Sequence, residues 1–262
     1  MSNLLDRTSR MINTVLTGTP SDQPALLIVH GLYGSARNWG AIAKRMSTDR
    51  QVLSVDMRNH GFSDWRDSHS YPEMAEDLAA VIAAQGAPMD VIGHSMGGKA
   101  AMVLALQHPN LVRRLIVADI APVHYTHTQI GFIAAMRGLD LTKIEKRSDA
   151  DRLLASDVAD AGIRAFLLQS LDIKAKRWRL NLDVLEAEMP KIMGFPTLDS
   201  QFDGATLFLS GGASDYVQPE HRTGIKALFP KARFARIPET GHWLHAEKPR
   251  EFVETAQAFL TA

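Results

Sequence analysis

The chain has 262 residues, 45% hydrophobic and 22% charged, a composition typical of a globular protein with a sizeable core. Its 29 basic and 29 acidic residues give no formal net charge, which argues against nucleic acid or an anionic membrane surface as a partner. The absence of cysteine excludes disulfides, thiolate metal sites and a cysteine nucleophile, and we expect a cytoplasmic location.

The chain opens with a polar stretch, residues 1–10, that contains Arg7 and Arg10. No apolar signal-peptide core follows it, so we expect residues 1–10 to be a frayed end. No stretch reaches the length and apolar content of a membrane span.

Short apolar segments rich in Val, Ile and Leu alternate with amphipathic helices, which predicts an α/β fold, mostly a parallel sheet with helices on both faces. Pro72 and Pro249 each stand where a first helical residue is expected, and a third helix should cover Gly98–Leu106. The predicted strands are Ala25–Val29, Val52–Asp56, Met89–Ile92, Leu115–Asp119, Thr206–Ser210 and Arg233–Ile237.

The strand–helix alternation stops between residues 122 and 196, a segment that reads as helical throughout. A helical insertion between parallel strands predicts a cap over the crevice at their carboxyl ends, with a core of residues 1–121 and 197–262. The basic run Lys174–Arg179 predicts a solvated turn. The helices predicted in this segment are Ile130–Arg137, Asp149–Ala159 and Ile163–Gln169.

The run Gly93-His94-Ser95-Met96-Gly97 places a serine between a predicted strand and a predicted helix. Small residues two before and two after the serine allow the sharp turn of a nucleophile elbow. The turn exposes the hydroxyl above the sheet edge, at a helix N-terminus whose amides can face developing negative charge. Ser95 is therefore the candidate nucleophile.

A candidate base follows the last predicted strand, in the loop Glu239–Trp243. His242 lies at the carboxyl end of a strand, from which it could reach Ser95, and we predict that it is the general base. His245, three residues on, is expected to be a packing or surface residue.

Two carboxylates could orient the base, because Asp119 ends one predicted strand, Asp215 follows another, and both strand ends face the same crevice. Asp119 ends the strand next after the nucleophile strand, and the turn after it leads into the predicted cap, which favours Asp119. Asp215 stays an alternative, and Ser214 beside it could donate a hydrogen bond to the triad.

The loop after the first predicted strand, His30-Gly31-Leu32, predicts an oxyanion hole. Gly31 allows the loop to pass close to the elbow, so the N–H of Leu32 could pair with that of Met96. His30 is expected to be structural, bonding within its own loop.

These motifs resemble the α/β-hydrolase superfamily from Leu26 to Leu260, and more narrowly the small esterases of the YbfF type. The resemblance implies hydrolysis of carboxylic esters and of acyl-CoA thioesters under a helical cap. It also implies the triad Ser95, Asp119 and His242. The segments that carry the narrower resemblance are Val55–Gly61, His94–Lys99, Asp119–Val123 and Gly241–Glu247.

The motifs also bear on other chemistries. Gly93–Lys99 spells a phosphate-binding loop, but Ala100 stands where Mg²⁺ needs Ser or Thr, so Lys99 is expected to be a partly exposed helix residue. The ten histidines contain no convincing metal-ligand motif, and we predict neither metal nor cofactor. Carbon–carbon bond hydrolysis, cofactor-free haloperoxidation and a non-catalytic binding module remain alternatives to ester hydrolysis.

Overall fold

The computed structural model describes residues 11–262, and the predicted frayed end lies outside this range. The main sheet has seven strands in the order β1-β3-β2-β4-β5-β8-β9. Only β1 is antiparallel to its neighbour, which confirms the predicted mostly parallel sheet. The strands are β1 Thr14–Thr17, β2 Leu26–Val29, β3 Val52–Val55, β4 Met89–His94, β5 Val112–Ala118, β8 Ala205–Gly211 and β9 Ala232–Ile237.

Helices cover both faces of the sheet, as predicted. Alternate residues of β2 enter different hydrophobic clusters: Leu27 and Val29 pack with α2 and α3, whereas Leu26 and Ile28 pack with α1 and α11. No helix within residues 11–262 has both the length and the hydropathy needed to cross a membrane. The helices are α1 Gly40–Met46, α2 Tyr71–Ala83, α3 Met96–Gln107, α4 Ile130–Arg137, α5 Arg147–Leu154, α6 Ala161–Leu168, α7 Leu182–Ala187, α8 Met189–Met193, α9 His221–Leu228, α10 Leu244–Glu247 and α11 Pro249–Thr261.

The segment between β5 and β8 holds helices α4 to α8, but the prediction that it is helical throughout is wrong. A two-stranded antiparallel hairpin, β6 Leu171–Asp172 and β7 Arg177–Trp178, lies within it. The basic run therefore forms the hairpin turn and its second strand. Strands this short carry no alternation that a sequence pattern could reveal.

Helix α5 ends five residues before the predicted end at Ala159. The chain turns there because Asp160 caps the next helix: its side chain accepts a hydrogen bond from the N–H of Ile163 at 2.8 Å.

Candidate active site

Ser95 stands between β4 and α3 in a strained turn, with φ 54° and ψ −122°. The flanking glycines are required by space. A Cβ on Gly93 would lie 2.4 Å from the carbonyl oxygen of Gly97, and one on Gly97 would lie 2.4 Å from that of His30. The turn is held by the N–H of Ser95, which donates to the carbonyl of Ala118 at 3.0 Å.

The structure brings three of the predicted site residues into one hydrogen-bonded row. His242 Nε2 lies 3.0 Å from Ser95 Oγ, and His242 Nδ1 lies 2.8 Å from Asp119 Oδ2. Asp119 is fully buried, so its carboxylate accepts the Nδ1 proton with little competition from water. Nε2 is then the unprotonated nitrogen, free to accept the serine proton.

Asp119, and not Asp215, lies beside His242. Both carboxylate oxygens of Asp119 accept further bonds: Oδ1 from the N–H of Gly211 at 2.9 Å, and Oδ2 from Ser214 Oγ at 2.5 Å. The side chain of Asp215 is exposed and forms no hydrogen bond to residues 11–262. The suggested contact from Ser214 thus reaches the same oxygen that faces the imidazole.

The ring of His242 is held by neighbours that the motifs did not identify. Tyr216 stacks on it with centroids 4.0 Å apart and an interplanar angle of 19°. His94 Nε2 donates to the carbonyl of His242 at 2.8 Å, and burial lowers the pKa of His94 well below its usual value, so its ring stays neutral. His245 is buried and stacks on Trp39 at 4.1 Å, a packing role as expected.

The loop after β2 lies directly against the elbow. A Cβ on Gly31 would meet His94 Nδ1 at 3.0 Å and Ser95 Cβ at 3.2 Å, so only glycine fits without displacement. Leu32, Ser95 and Met96 line the same small cavity. The N–H of Leu32 donates to no backbone or side-chain acceptor within residues 11–262 and is available to a ligand.

The peptide after Leu32 is fixed by a buried histidine. The N–H of Tyr33, whose φ is 64°, donates to His60 Nε2 at 3.2 Å. Neighbouring His30 accepts the N–H of Met57 at 2.9 Å and contacts the carbonyl of its own loop, the structural arrangement that the sequence predicted. These bonds fix the direction of the Leu32 amide before any ligand binds.

Ser95 lines two small cavities of about 20 Å³ each. Phe166 of α6 lines one of them, Tyr125 and Met193 line the other, and Gln129 lines both. The segment between β5 and β8 therefore supplies walls around the serine.

The expectation that Lys99 is partly exposed is wrong, because its side chain is 1% exposed. Its ammonium donates to the carbonyls of Val123 at 2.8 Å, Met193 at 3.0 Å and Gly194 at 2.6 Å, and lies 4.8 Å from the ring centre of Tyr125. Lys99 thereby joins α3 to both ends of the segment between β5 and β8. Burial lowers its pKa to about 7.

Within the described part of the chain, no group of three or more His, Cys, Asp or Glu side chains is arranged to hold a metal ion.

Comparison with known proteins shows the family to which the chain belongs. Residues 26–255 match the alpha/beta hydrolase family. The chain is 46% identical over 248 residues to the sn-1-specific diacylglycerol lipase ABHD11 of Mus musculus, covering 90% of this chain and 81% of that protein. It is 36% identical over 239 residues to esterase YbfF of Escherichia coli K12, covering 90% of this chain and 92% of that protein.

A solved structure of a marine microorganism esterase superposes with a TM-score of 0.91 at 37% identity, covering 96% of this chain and 100% of that chain. Likeness at this level extends over the sheet, the helices on its faces and the segment between β5 and β8.

Proposed function

We propose that this chain, which belongs to the alpha/beta hydrolase family, hydrolyses carboxylic esters through a Ser95–His242–Asp119 catalytic triad and an acyl-enzyme intermediate. The observation that carries the proposal is the continuous row of bonds from Ser95 Oγ through both imidazole nitrogens to the buried carboxylate. Relatives named esterase and lipase, with coverage of at least four fifths of each, support ester hydrolysis as the reaction.

In the first half of the reaction, Ser95 Oγ attacks the acyl carbonyl carbon while His242 Nε2 takes the hydroxyl proton. Asp119 keeps the other ring proton on Nδ1 and stabilises the imidazolium. The N–H groups of Leu32 and Met96 stabilise the tetrahedral oxyanion. The alcohol then leaves with the proton from His242.

In the second half, water attacks the acyl-enzyme while His242 takes its proton, and His242 returns the proton to Ser95 Oγ as the acyl–oxygen bond breaks and the acid leaves. A thioester passes through the same steps with a thiol as leaving group, so the proposal extends to acyl thioesters. Residues 122–196 act as a cap in this proposal, because Gln129, Phe166 and Met193 border the space next to Ser95.

The test is hydrolysis of p-nitrophenyl esters from acetate to palmitate by the wild type and by Ser95→Ala. We expect the variant to remain folded and to lose at least about 10³-fold in kcat/KM, because no other nucleophile can replace the serine. The chain length with the highest kcat/KM reports the size of the acyl space.

Labelling with a fluorophosphonate separates a hydrolase from a binding module. The wild type should be labelled at Ser95 and the Ser95→Ala variant should not. Absence of both labelling and turnover in the wild type would reject the proposal in favour of a module that binds without catalysis.

A further inference from the structure

A cavity of about 630 Å³ lies apart from the cavities that Ser95 lines. We call it the basic cleft: it lies between the edge of the main sheet near β1 and the β6–β7 hairpin, and four cationic side chains line it, Arg37, Arg147, Lys174 and Arg179. Its volume falls in the range of pockets that bind small organic ligands. None of the steps proposed for ester hydrolysis uses these cations.

The two carboxylates that line the basic cleft, Asp56 and Asp172, neutralise only one of these four cations. Asp172 pairs with Arg179. Asp56 is occupied by neutral donors: Asn13 Nδ2 at 2.8 Å, the N–H of Ala36 at 2.7 Å and the N–H of Phe62 at 2.9 Å.

The other cations have no ion-pair partner within residues 11–262; these are Arg37, Arg147 and Lys174. Nη1 of Arg147 is buried and makes no hydrogen bond, while Nη2 only approaches the carbonyl of Leu171 at 3.5 Å. Burial and the charge of Arg37 lower the pKa of Arg147. A partly desolvated guanidinium with an unpartnered Nη1 and a second cation nearby is a site that an anion would stabilise.

The basic cleft shares a wall with the space at Ser95. Asn38 lines the serine side, Gln169 lines the cleft side, and Asn38 Nδ2 donates to Gln169 Oε1 at 2.9 Å between them. Ser170, also in the cleft, donates to the carbonyl of Tyr33 in the predicted oxyanion loop at 2.9 Å. A ligand that extends past the Asn38–Gln169 hydrogen bond would place its ester next to Ser95 and its far end in the basic cleft.

We propose that the basic cleft binds an organic phosphate through Arg37 and Arg147. A phosphate offers several oxygens to two guanidinium groups at once, which a carboxylate matches less well. The exposed ring of Phe62, with the guanidinium of Arg179 3.9 Å from its centre, gives the organic part an aromatic surface. The phosphate belongs to the substrate's leaving group or to a separate ligand, and the first case rests on the proposed ester hydrolysis.

The test compares two thioesters that differ only beyond the reacting bond: butyryl-coenzyme A, whose leaving group carries phosphates, and S-butyryl-N-acetylcysteamine, whose leaving group carries none. The variants are Arg147→Gln and Arg37→Gln. The control is Arg152→Gln, on the same helix α5 but with a side chain 78% exposed and outside the cleft.

If the leaving group carries the phosphate, each cleft variant should raise KM for butyryl-coenzyme A about tenfold, the effect of one charged hydrogen bond. KM for the truncated thioester and kcat for both should stay unchanged, as should every constant of the control. The KM of the wild type for butyryl-coenzyme A should also rise with salt, since exposed charges are screened.

Calorimetric titration with 3′-phosphoadenosine 5′-phosphate covers the separate-ligand case. Binding by the wild type that is lost in Arg147→Gln, with both KM values unchanged, supports a free phosphate as the ligand. The proposal is overturned if the wild type does not bind 3′-phosphoadenosine 5′-phosphate and the cleft variants do not raise KM for butyryl-coenzyme A selectively. If the wild type hydrolyses no ester or thioester at all, the proposed function fails, and the titration still decides the cleft.

Discussion

The carboxylate of Asp119 sets the tautomer of His242, and replacing it by a carboxamide gives the sharpest test of the triad. Oδ2 accepts the Nδ1 proton of His242 and the hydroxyl of Ser214, while Oδ1 accepts the N–H of Gly211. The isosteric Asp119→Asn turns one of these acceptors into a donor without changing the volume of a fully buried side chain.

The surroundings decide which way the carboxamide points. The N–H of Gly211 belongs to the backbone of β8 and cannot turn, so the carboxamide oxygen must take the Oδ1 position. The NH₂ group then faces His242, and the hydroxyl of Ser214 can rotate to accept from it. An NH₂ donor requires an unprotonated Nδ1, so the ring proton moves to Nε2.

A protonated Nε2 cannot take the proton of Ser95. We therefore expect Asp119→Asn to lower kcat about 10⁴-fold, which corresponds to about 5.5 kcal/mol of transition-state stabilisation. KM should change little, because Asp119 is buried behind the imidazole and reaches no substrate.

The assay is steady-state hydrolysis of p-nitrophenyl butyrate, with thermal unfolding to establish that each variant is folded. Asp215→Asn is the matched control and should keep full activity, because that side chain is exposed. Turnover of Asp119→Asn within about tenfold of the wild type, or a larger loss in Asp215→Asn, would contradict the assignment of the acid.

Further predictions concern stability. The pKa of Lys99 is about 7 in the folded chain and 10.5 in its ordinary, exposed state. Above pH 7, the folded chain therefore releases the Lys99 proton while the unfolded chain still binds it. The unfolding free energy of the wild type relative to Lys99→Met, measured in urea titrations, should therefore rise by up to about 1.4 kcal/mol per pH unit between about pH 7 and pH 9. A difference that does not change with pH would mean that the carbonyls of Val123, Met193 and Gly194 keep the ammonium charged. Asp90→Ala leaves the guanidinium of Arg50, 3% exposed, without its 2.9 Å partner and should cost about 3–5 kcal/mol by urea unfolding. An Asp90→Ala variant with an unchanged urea midpoint would refute that estimate. The kcat/KM of this variant should stay unchanged, because Asp90 lies at the opposite end of β4 from Ser95.

The fold was predictable where hydrophobic pattern decides it. Strands buried on both faces, such as Leu26–Val29 and Val52–Val55, are apolar except for Ser54, and their predicted ends differ from the observed ends by one residue at most. Thr14–Thr17 was missed, since this edge strand has half-exposed and exposed side chains and owes its conformation to pairing with β3. The hairpin at Leu171–Asp172 depends in the same way on a partner strand.

The candidate site was predictable where a motif fixes the local backbone, as at Ser95 and in the loop of His242. For the orienting acid, the sequence favoured Asp119 but left Asp215 open, because the choice depends on how far two loops reach across the sheet edge. Tyr216 and Lys99 were missed for a related reason. Their roles come from contacts with residues distant in sequence, such as the bond from Lys99 to Gly194, which no periodicity records.

The loops that supply the proposed catalytic groups contain strained backbone, and they therefore need support from neighbouring elements. Of the six non-glycine residues with positive φ in the described chain, four lie in loops that supply proposed catalytic groups: Tyr33, Ser95, Asp119 and Glu239. Such conformations cost on the order of 1–3 kcal/mol each. The first three donate their backbone N–H to His60, to the carbonyl of Ala118 and to that of Leu209, respectively. Since Ala118 and Leu209 belong to β5 and β8, the sheet itself holds the serine and the acid in turns that an isolated peptide would leave.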